Sequence, residues 1–487
     1  MKILMVSSES VPFSKSGGLA DVVGALSSAL HDLESEVHVL LPCYGSVDTS
    51  DFVDSKLSLD IDLLGKQETV TFMERVLDGV TYHFLCHPMF SARMGIYGNT
   101  SFTPYPDNLE RYSLLNKATL PLCKALDWKP DVIHSHDWTC GFVPYLLKQD
   151  TSGFFTGTRG VITIHNLAFQ GEYSRLQLLG TGIEPHEKMF HGPSPTKRTN
   201  MLKTGLEFAD AITTVSPTYS QEIQSCEYGC NLEQLLTRRS DVLTGIINGI
   251  DYQEWNPATD AFIEDHFSVD DPSGKSATKA AIQKEFGLQV DASIPLFSMI
   301  SRIADQKGFV ELLQGSPCAL EKMVRDLPMQ MIIIGTGEKS LEDKLIELGR
   351  KYDNLSVNIL FSNRAAHRVE AGSDFFLMPS KYEPCGLNQL YSLRYGTIPV
   401  ARRTGGLADS IIDLDEHPKT GTGILFSSMT SDAILEAANR ALQWWAKGVQ
   451  VIAEIRKRCM QWDSTWIRSA RSYLTIYENK TEHEGEK

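Results

Sequence analysis

KILMVSSESVPFSKSGGLADVVGALSSALHDLESEVHVLLP (residues 2–42) holds a strand–loop–helix–strand unit. Its two ends, KILMVSS (2–8) and EVHVLLP (36–42), are β-rich and apolar nearly throughout. Such strands are buried on both faces, as in a parallel sheet covered by helices. Between them GLADVVGALSSALHDL (18–33) has the helical pattern, and a glycine loop, Lys15-Ser16-Gly17-Gly18, opens it. A strand, a crossover helix and a second parallel strand imply a right-handed connection and a doubly wound α/β domain.

The alternation continues outward through YHFLC (82–86), DVIHSH (131–136), GVITIHN (160–166), AITTVS (211–216) and GIINGI (245–250), all read as strand runs. Residues 252–280 break it with turn formers and little periodicity. It restarts in PLFSMIS (295–301), MQMIIIGTG (329–337), VNILFS (357–362), DFFLMPS (374–380), TIPVAR (397–402) and GILF (423–426). The expected architecture is two Rossmann-like, doubly wound domains facing across a cleft, 1–251 and 252–464. A terminal segment, 465–487, holds a helix (TWIRSARSYLTIYE) and a polar tail.

Composition narrows the function classes. The 487 residues match two or three domains at ~150 residues each. The 46 Lys and Arg against 61 Asp and Glu give a net charge of −15 without a basic run, a poor basis for binding nucleic acid. No apolar stretch approaches the ~18–20 residues that span a bilayer, and the amino terminus reads as a strand rather than a secretory signal. Nine cysteines without regular spacing are expected to be free thiols in a cytoplasmic protein, and the close pair Cys226 and Cys230 lacks a second pair for zinc.

One short motif recurs: KSGGLAD (15–21) and RTGGLAD (403–409), each after a strand run in its own half. Two glycines let backbone approach a ligand, and a helix amino terminus offers N–H groups and positive potential to an anion. SRIADQKG (301–308) adds Arg302 and Lys307 between a strand run and a helical segment. A solvated surface charge is the ordinary explanation of a single Lys or Arg. Lys15, Arg302, Lys307 and Arg403, all on loops after parallel strands, form a set where open α/β sheets bind ligands.

KYEPCGLNQL (381–390) places Glu383 after another strand run, either to bind sugar hydroxyls and temper positive charge or only to cap a helix dipole. Asp137 and the pair His165 and Asn166 also stand at strand ends. His134 and His136 alternate along one strand and face one side of the sheet. Asp60-Ile-Asp62 and Asp413-Leu-Asp415 have the D-x-D form that holds a divalent ion at a diphosphate, but neither adjoins a glycine loop. Fixed cations and a metal-free mechanism are therefore expected.

Together KSGGLADVVGAL, HSHDW, TIHNLAFQG (163–171), TTVSPTY (213–219), INGID (247–251), SRIADQKG, KYEPCGLNQLYSLRYGT and RRTGGLAD closely resemble the bacterial glycogen synthase and plant starch synthase family, from residue 1 to about 478. These are retaining glucosyltransferases of GT-B architecture. The resemblance implies transfer of glucose from a nucleotide diphosphate sugar, usually ADP-glucose in bacteria, to the nonreducing 4-hydroxyl of glycogen or another α-1,4-glucan. It makes the first domain the acceptor side, the second the donor side, and the last helix one that packs back on the first domain.

By motif, the resemblance puts Lys15, Gly17 and Gly18 at the donor's phosphates and glucose, with Asp21 supporting that loop, and Arg302 and Lys307 on the diphosphate. It puts Glu383, Cys385, Gly386 and Leu387 around glucose and phosphate, and Thr404, Gly405 and Gly406 on the phosphate side. Asp137, His165, Asn166 and Asn248 fall in the cleft, Tyr97 at its entrance, and Phe361 where an aromatic stacks on adenine. Lys15, His165, Arg302, Lys307 and Glu383 would carry catalysis.

Two positions depart from the common pattern: Ser16 stands where Thr is commoner, and Tyr391 where many retaining GT-B enzymes have a second Glu. The resemblance implies no cofactor, no metal, and no nucleic-acid or membrane partner; oligomeric state stays open. The rival readings are a UDP-glucose-dependent synthase or transfer to a small acceptor, an inactive glucan-binding protein, and an oxidoreductase, whose G-x-G-x-x-G fingerprint is missing after the first strand.

Overall fold

The computed structural model describes residues 1–63, 65–99, 103–191 and 197–478; the expected polar tail lies outside the described residues. The chain forms two compact units, Met1–Ile246 with the segment from Trp466, and Ile247–Thr465.

The first unit contains β1 (Lys2–Val6), β2 (Glu36–Pro42), β3 (Val53–Leu63), β4 (Lys66–Leu77), β5 (Val80–Cys86), β6 (Val132–His136), β7 (Arg159–Ile164), β8 (Glu172–Ser174), β9 (Phe190–His191), β10 (Arg198–Asn200), β11 (Ala211–Thr214) and β12 (Leu243–Gly245). Nine of these make one sheet in the order β12-β11-β7-β6-β1-β2-β5-β4-β3, and β8, β10 and β9 make a small second one. The large sheet is parallel from β12 to β5. The hairpin β3–β4 joins it antiparallel through β4 and β5. Of this hairpin only LSLDIDLL (57–64) reads in the sequence as the solvent face of a strand; β4 was not among the expected strand runs. The hairpin's residues alternate between exposed and covered along the sheet edge, so no continuous apolar run announces it.

The helix Gly18–Asp32 covers the sheet with Leu19, Val22, Val23, Leu26 and Leu30, a spacing that puts all five on one side. The terminal helix Trp466–Glu478 packs on it, and its Trp466, Ala470, Tyr473 and Tyr477 enter the same core. Order matters for function here: β1 is followed in sequence by β2 on one side, while β6 lies on its other side. The β1/β6 boundary is the point at which winding reverses, where open α/β sheets leave a crevice beyond the strand ends.

The second unit has β13 (Leu296–Ile300), β14 (Gln330–Gly335), β15 (Leu355–Ile359), β16 (Phe375–Met378), β17 (Ile398–Arg402) and β18 (Ile424–Phe426). They form a parallel sheet in the order β15-β14-β13-β16-β17-β18, so winding reverses between β13 and β16. Helices on both faces bury two apolar clusters, one including Phe297, Phe375 and Val400, the other Ile282, Ile332 and Val369.

Three expectations need correction. GIINGI is not a strand: only its Gly245 belongs to β12, and Asn248-Gly249 lie in a loop. The boundary falls between Ile246 and Ile247 rather than after residue 251. The cause is local pairing, because Ile250 N–H bonds Ser464 O at 2.8 Å and Ile250 bridges Thr465, which ties 247–251 to the second unit. The aperiodic stretch is also shorter than 252–280, since Ser273–Glu285 is a helix whose Ile282 and Gln283 are fully buried. All nine cysteines are free, and six of them are buried.

Candidate active site

In the first unit, neighbouring strands β7, β6 and β1 deliver His165, Asp137 and Glu9 just beyond their carboxyl ends. Asp137 stands at φ 57° and ψ −172°, backbone torsions that cost a non-glycine residue ~1–3 kcal/mol. The surrounding bonds hold it there. Its N–H bonds Thr163 O at 3.0 Å, and its Oδ1 accepts the His165 N–H at 2.7 Å. The Asn166 N–H donates to the same carboxylate, and burial still pushes the Asp137 carboxyl up to about 7. Asn166 turns the chain onward, its Oδ1 accepting the Ala168 N–H at 3.1 Å.

The first glycine loop differs from expectation in one respect. Its N–H groups are already engaged: Ser16 and Gly17 donate to Glu9 Oε2 at 2.5 and 3.2 Å. Tyr97 closes the other side of Glu9, its hydroxyl 2.5 Å from Oε1 and 2.9 Å from Ser8 Oγ. Burial raises the Glu9 carboxyl above its ordinary value and the Tyr97 phenol well above its own. Glu9 is a buried carboxylate beside the glycine loop that the sequence reading did not single out, although the same signal, an acidic residue after a parallel strand, singled out Asp137 and Glu383. Lys15 is exposed and paired with Asp21 at 2.6 Å. A Cβ on Gly17 would meet nothing within 4 Å, so space beside the loop is open.

In the second unit an open pocket of ≈ 120 Å³ lies beyond β13 and β16, lined among others by Arg302, Lys307, Ser380, Glu383, Gly386 and Leu387. Lys307 Nζ is 2.5 Å from Glu383 Oε2, and Ser380 Oγ donates to the same oxygen at 3.0 Å. Glu383 is therefore not a helix cap. It sits in the loop between β16 and the helix Asn388–Arg394, held by a cation from the loop after β13. Gln306 stitches the two loops: its carbonyl accepts the Lys381 N–H at 2.8 Å, and its Nε2 donates to Tyr382 O at 3.3 Å. Arg302 is exposed, with Nη2 3.2 Å from Gln306 Oε1.

The second glycine loop supports this pocket from behind. The Gly406 N–H donates to Glu383 O at 3.1 Å and to Pro384 O at 3.2 Å. A Cβ on Gly405, at φ +43°, would lie 2.0 Å from Glu383 O, so only glycine fits. Close approach at Gly405 and Gly406 is thus to the Glu383–Cys385 backbone, not to open space as at Gly17. Thr404 is buried beside them, and Cys385 lies inside the loop, its thiol pushed up to about 12 by burial. The Asn248 N–H donates to that thiol, while the buried Asn248 Oδ1 has no partner among the described residues. Phe361 is 88% exposed on the loop after β15, outside the pocket lining.

The D-x-D pairs have structural occupations. Asp60 is on the exposed face of β3 and accepts from Thr69 Oγ1 at 2.6 Å. Asp413 is buried, accepting from Asp415 N, Glu416 N and Leu425 N and pairing with Arg440 at 3.1 Å.

Comparison with known proteins identifies the family. Residues 2–238 match the starch synthase catalytic domain, and residues 283–458 match glycosyl transferases group 1. Glycogen synthase of Treponema denticola is 38% identical over 485 residues, spanning 99% of both chains. Glycogen synthase of Geotalea daltonii is 40% identical over 484 residues, 98% of both. Among solved structures, the catalytic domain of starch synthase IV from Arabidopsis thaliana, bound to ADP and acarbose, superposes with a TM-score of 0.87 at 30% identity, covering 98% of each chain. Sucrose-phosphate synthase from Thermosynechococcus elongatus, at 17% identity and a TM-score of 0.57, shares the fold alone. The chain belongs to the glycogen synthase and starch synthase family of retaining glucosyltransferases.

Proposed function

We propose that the protein transfers glucose from ADP-glucose to the nonreducing-end 4-hydroxyl of glycogen or another α-1,4-glucan, with retention of configuration and release of ADP. The observation that carries this reading is the second unit's pocket, where Arg302, Lys307 and Glu383 converge from two neighbouring strand ends. Two cations beside one buried carboxylate suit a donor that is anionic at its diphosphate and develops positive charge at the sugar. ADP in the starch synthase IV structure supports an adenine nucleotide, for which the exposed Phe361 ring offers a stacking face.

On this reading Arg302 and Lys307, with Lys15 of the first unit, stabilise charge on the leaving diphosphate. Fixed cations do this well because they need no reorganisation at the moment of reaction. The Lys307–Glu383 ion pair keeps the lysine oriented before donor arrives. Glu383 then orients glucose hydroxyls and tempers the oxocarbenium-like charge, while the loop around Cys385, Gly386 and Leu387 shapes the sugar and phosphate site. Asp137, His165, Asn166 and Tyr97 take the glucose and acceptor side, and Asn248, with its unsatisfied Oδ1, the donor side. Cytoplasmic residence suits nine free cysteines.

The deciding experiment compares ADP-glucose with UDP-glucose in the presence of glycogen primer, following nucleotide diphosphate release and chain growth. ADP-glucose should be preferred. Preference for UDP-glucose, transfer only to a small acceptor, or glucan binding without release would each replace this reading with its rival.

A further inference from the structure

His165 Nε2 lies 3.0 Å from His136 Nδ1, and His136 is fully buried on β6. One of these nitrogens must donate and the other accept. The other His136 nitrogen, Nε2, is buried and has no hydrogen-bond partner among the described residues. His134 packs on the same ring at 4.1 Å between centroids, and it is itself held by Tyr477 Oη at 2.7 Å and Thr163 Oγ1 at 2.6 Å. Burial keeps all three imidazoles neutral, with His134 and His165 each pushed down to about 3 and His136 well below its ordinary value.

We propose that His136 is a positioning residue that fixes the tautomer of His165: His136 Nδ1–H donates to His165 Nε2, and His165 carries its own proton on Nδ1. The opposite arrangement would put the His136 proton on Nε2, a buried donor facing no acceptor. Orphaned buried donors are rarer than under-satisfied acceptors, so the bare lone pair belongs on His136 Nε2. His165 Nδ1 has no protein partner among the described residues, and the residue is partly exposed. The fixed tautomer therefore presents a hydrogen-bond donor to the sugar rather than an acceptor. Asp137 completes the arrangement by holding the His165 backbone N–H at 2.7 Å. The functional half of this inference rests on the proposed placement of His165 beside glucose.

Imidazole nitrogen NMR on the full chain, labelled with ¹⁵N-histidine and assigned through single histidine variants, reads the tautomer directly and without any activity. His165 and His136 should each show a protonated Nδ1 and a bare Nε2; a protonated Nε2 on His165 overturns the proposal whatever the enzyme transfers. Kinetics test the consequence. His136→Phe should leave KM for the donor little changed and lower kcat by ~10-fold, the equivalent of one hydrogen bond. His136→Asn, whose amide can donate from the Nδ1 position, should recover most of it. The expected tautomer together with an unchanged His136→Phe kcat would show that the tautomer has no part in turnover. If the chain transfers no glucose, the NMR result still stands or falls alone.

Discussion

Lys307 Nζ and Glu383 Oε2 are 2.5 Å apart although 76 residues separate them, because β13 and β16 are neighbours in the second sheet. The pair sets the charge of the pocket before any donor binds, and it ties the lysine proposed to act on the diphosphate to the carboxylate proposed to act on the sugar.

Removing the lysine should therefore do two things. Lys307→Ala takes away one preorganised cation and leaves Glu383 without its ion-pair partner. Loss of one such group costs ~3–4 kcal/mol at the transition state, or ~10²–10³ in kcat. Steady-state kinetics would show a lysine used only for ground-state binding as a rise in KM at constant kcat.

Chelation should matter little. With Arg302, Lys307 and Lys15 proposed at the diphosphate, activity in EDTA should stay close to that in buffer. Activity that disappears with EDTA and returns with Mn²⁺ would refute the fixed-cation mechanism.

Glu383 should prove an orienting group and not a nucleophile. Lys307 and Ser380 both bond Oε2, leaving its acceptor capacity partly spent within the protein. Front-face displacement lets the departing diphosphate take the acceptor's proton, so no covalent glucosyl-enzyme is required. Glu383→Gln should keep the fold, lose most turnover and gain nothing from azide. Isolation of β-glucosyl azide, or of a glucosyl ester on Glu383, would establish a double displacement instead.

The two glycine loops should respond differently to a methyl group. Gly405→Ala places Cβ 2.0 Å from Glu383 O at a positive φ, which should cost ~1–3 kcal/mol of stability and displace the Glu383 loop. Gly17→Ala meets nothing within 4 Å and has φ −155°, so stability should stay within ~0.5 kcal/mol. Any loss at Gly17 should appear as a raised donor KM. Equal destabilisation of both variants in urea melts would show that the first loop is also packed.

Acidification should weaken the first unit before ordinary carboxylates titrate. His134 and His165 are pushed down to about 3, His38 to about 4, and His136 well below its usual value, all mainly by burial. The unfolded chain binds these protons below ~6.5, so the stability they contribute is complete above that pH and is lost as pH falls toward the folded values. Asp137, raised to about 7, and Glu9, also raised, act oppositely and favour the fold on acidification. Four rings outweigh two carboxyls, so the net effect is a loss of stability on acidification. Urea midpoints should fall between pH 7 and 5.5; a flat profile would mean that the rings are hydrated or paired in the fold.

Much of this was legible in residue order. Apolar strand runs named β1, β2, β6, β7, β11 and most of the second sheet, because strands covered on both faces need continuous apolar sequence. Asp137 and His165 were singled out because each directly follows such a run, Lys15 by the repeated glycine loop, and Arg302, Lys307 and Glu383 because they lie on loops after such runs, where ligands meet parallel sheets. The hairpin β3–β4 was legible only in LSLDIDLL, which alternates like the solvent face of a strand: an edge covered on one face carries a pattern that ordinary polar loops also show. GIINGI has strand composition, yet Ile250 finds its partner at Thr465, more than two hundred residues away.

What only the tertiary structure decided is how these groups are paired. The SGG and TGG loops have nearly the same sequence, but Glu9 closes the first with its side-chain carboxylate, whereas the second is packed on the Glu383 backbone. His165 stands beside His136, and Lys307 beside Glu383, through the lateral order of strands in a sheet. A strand's own residues specify that it is a strand and which faces it buries. Which strand lies beside it depends on the packing of the whole unit, and that choice determines which side chains share a proton or a charge.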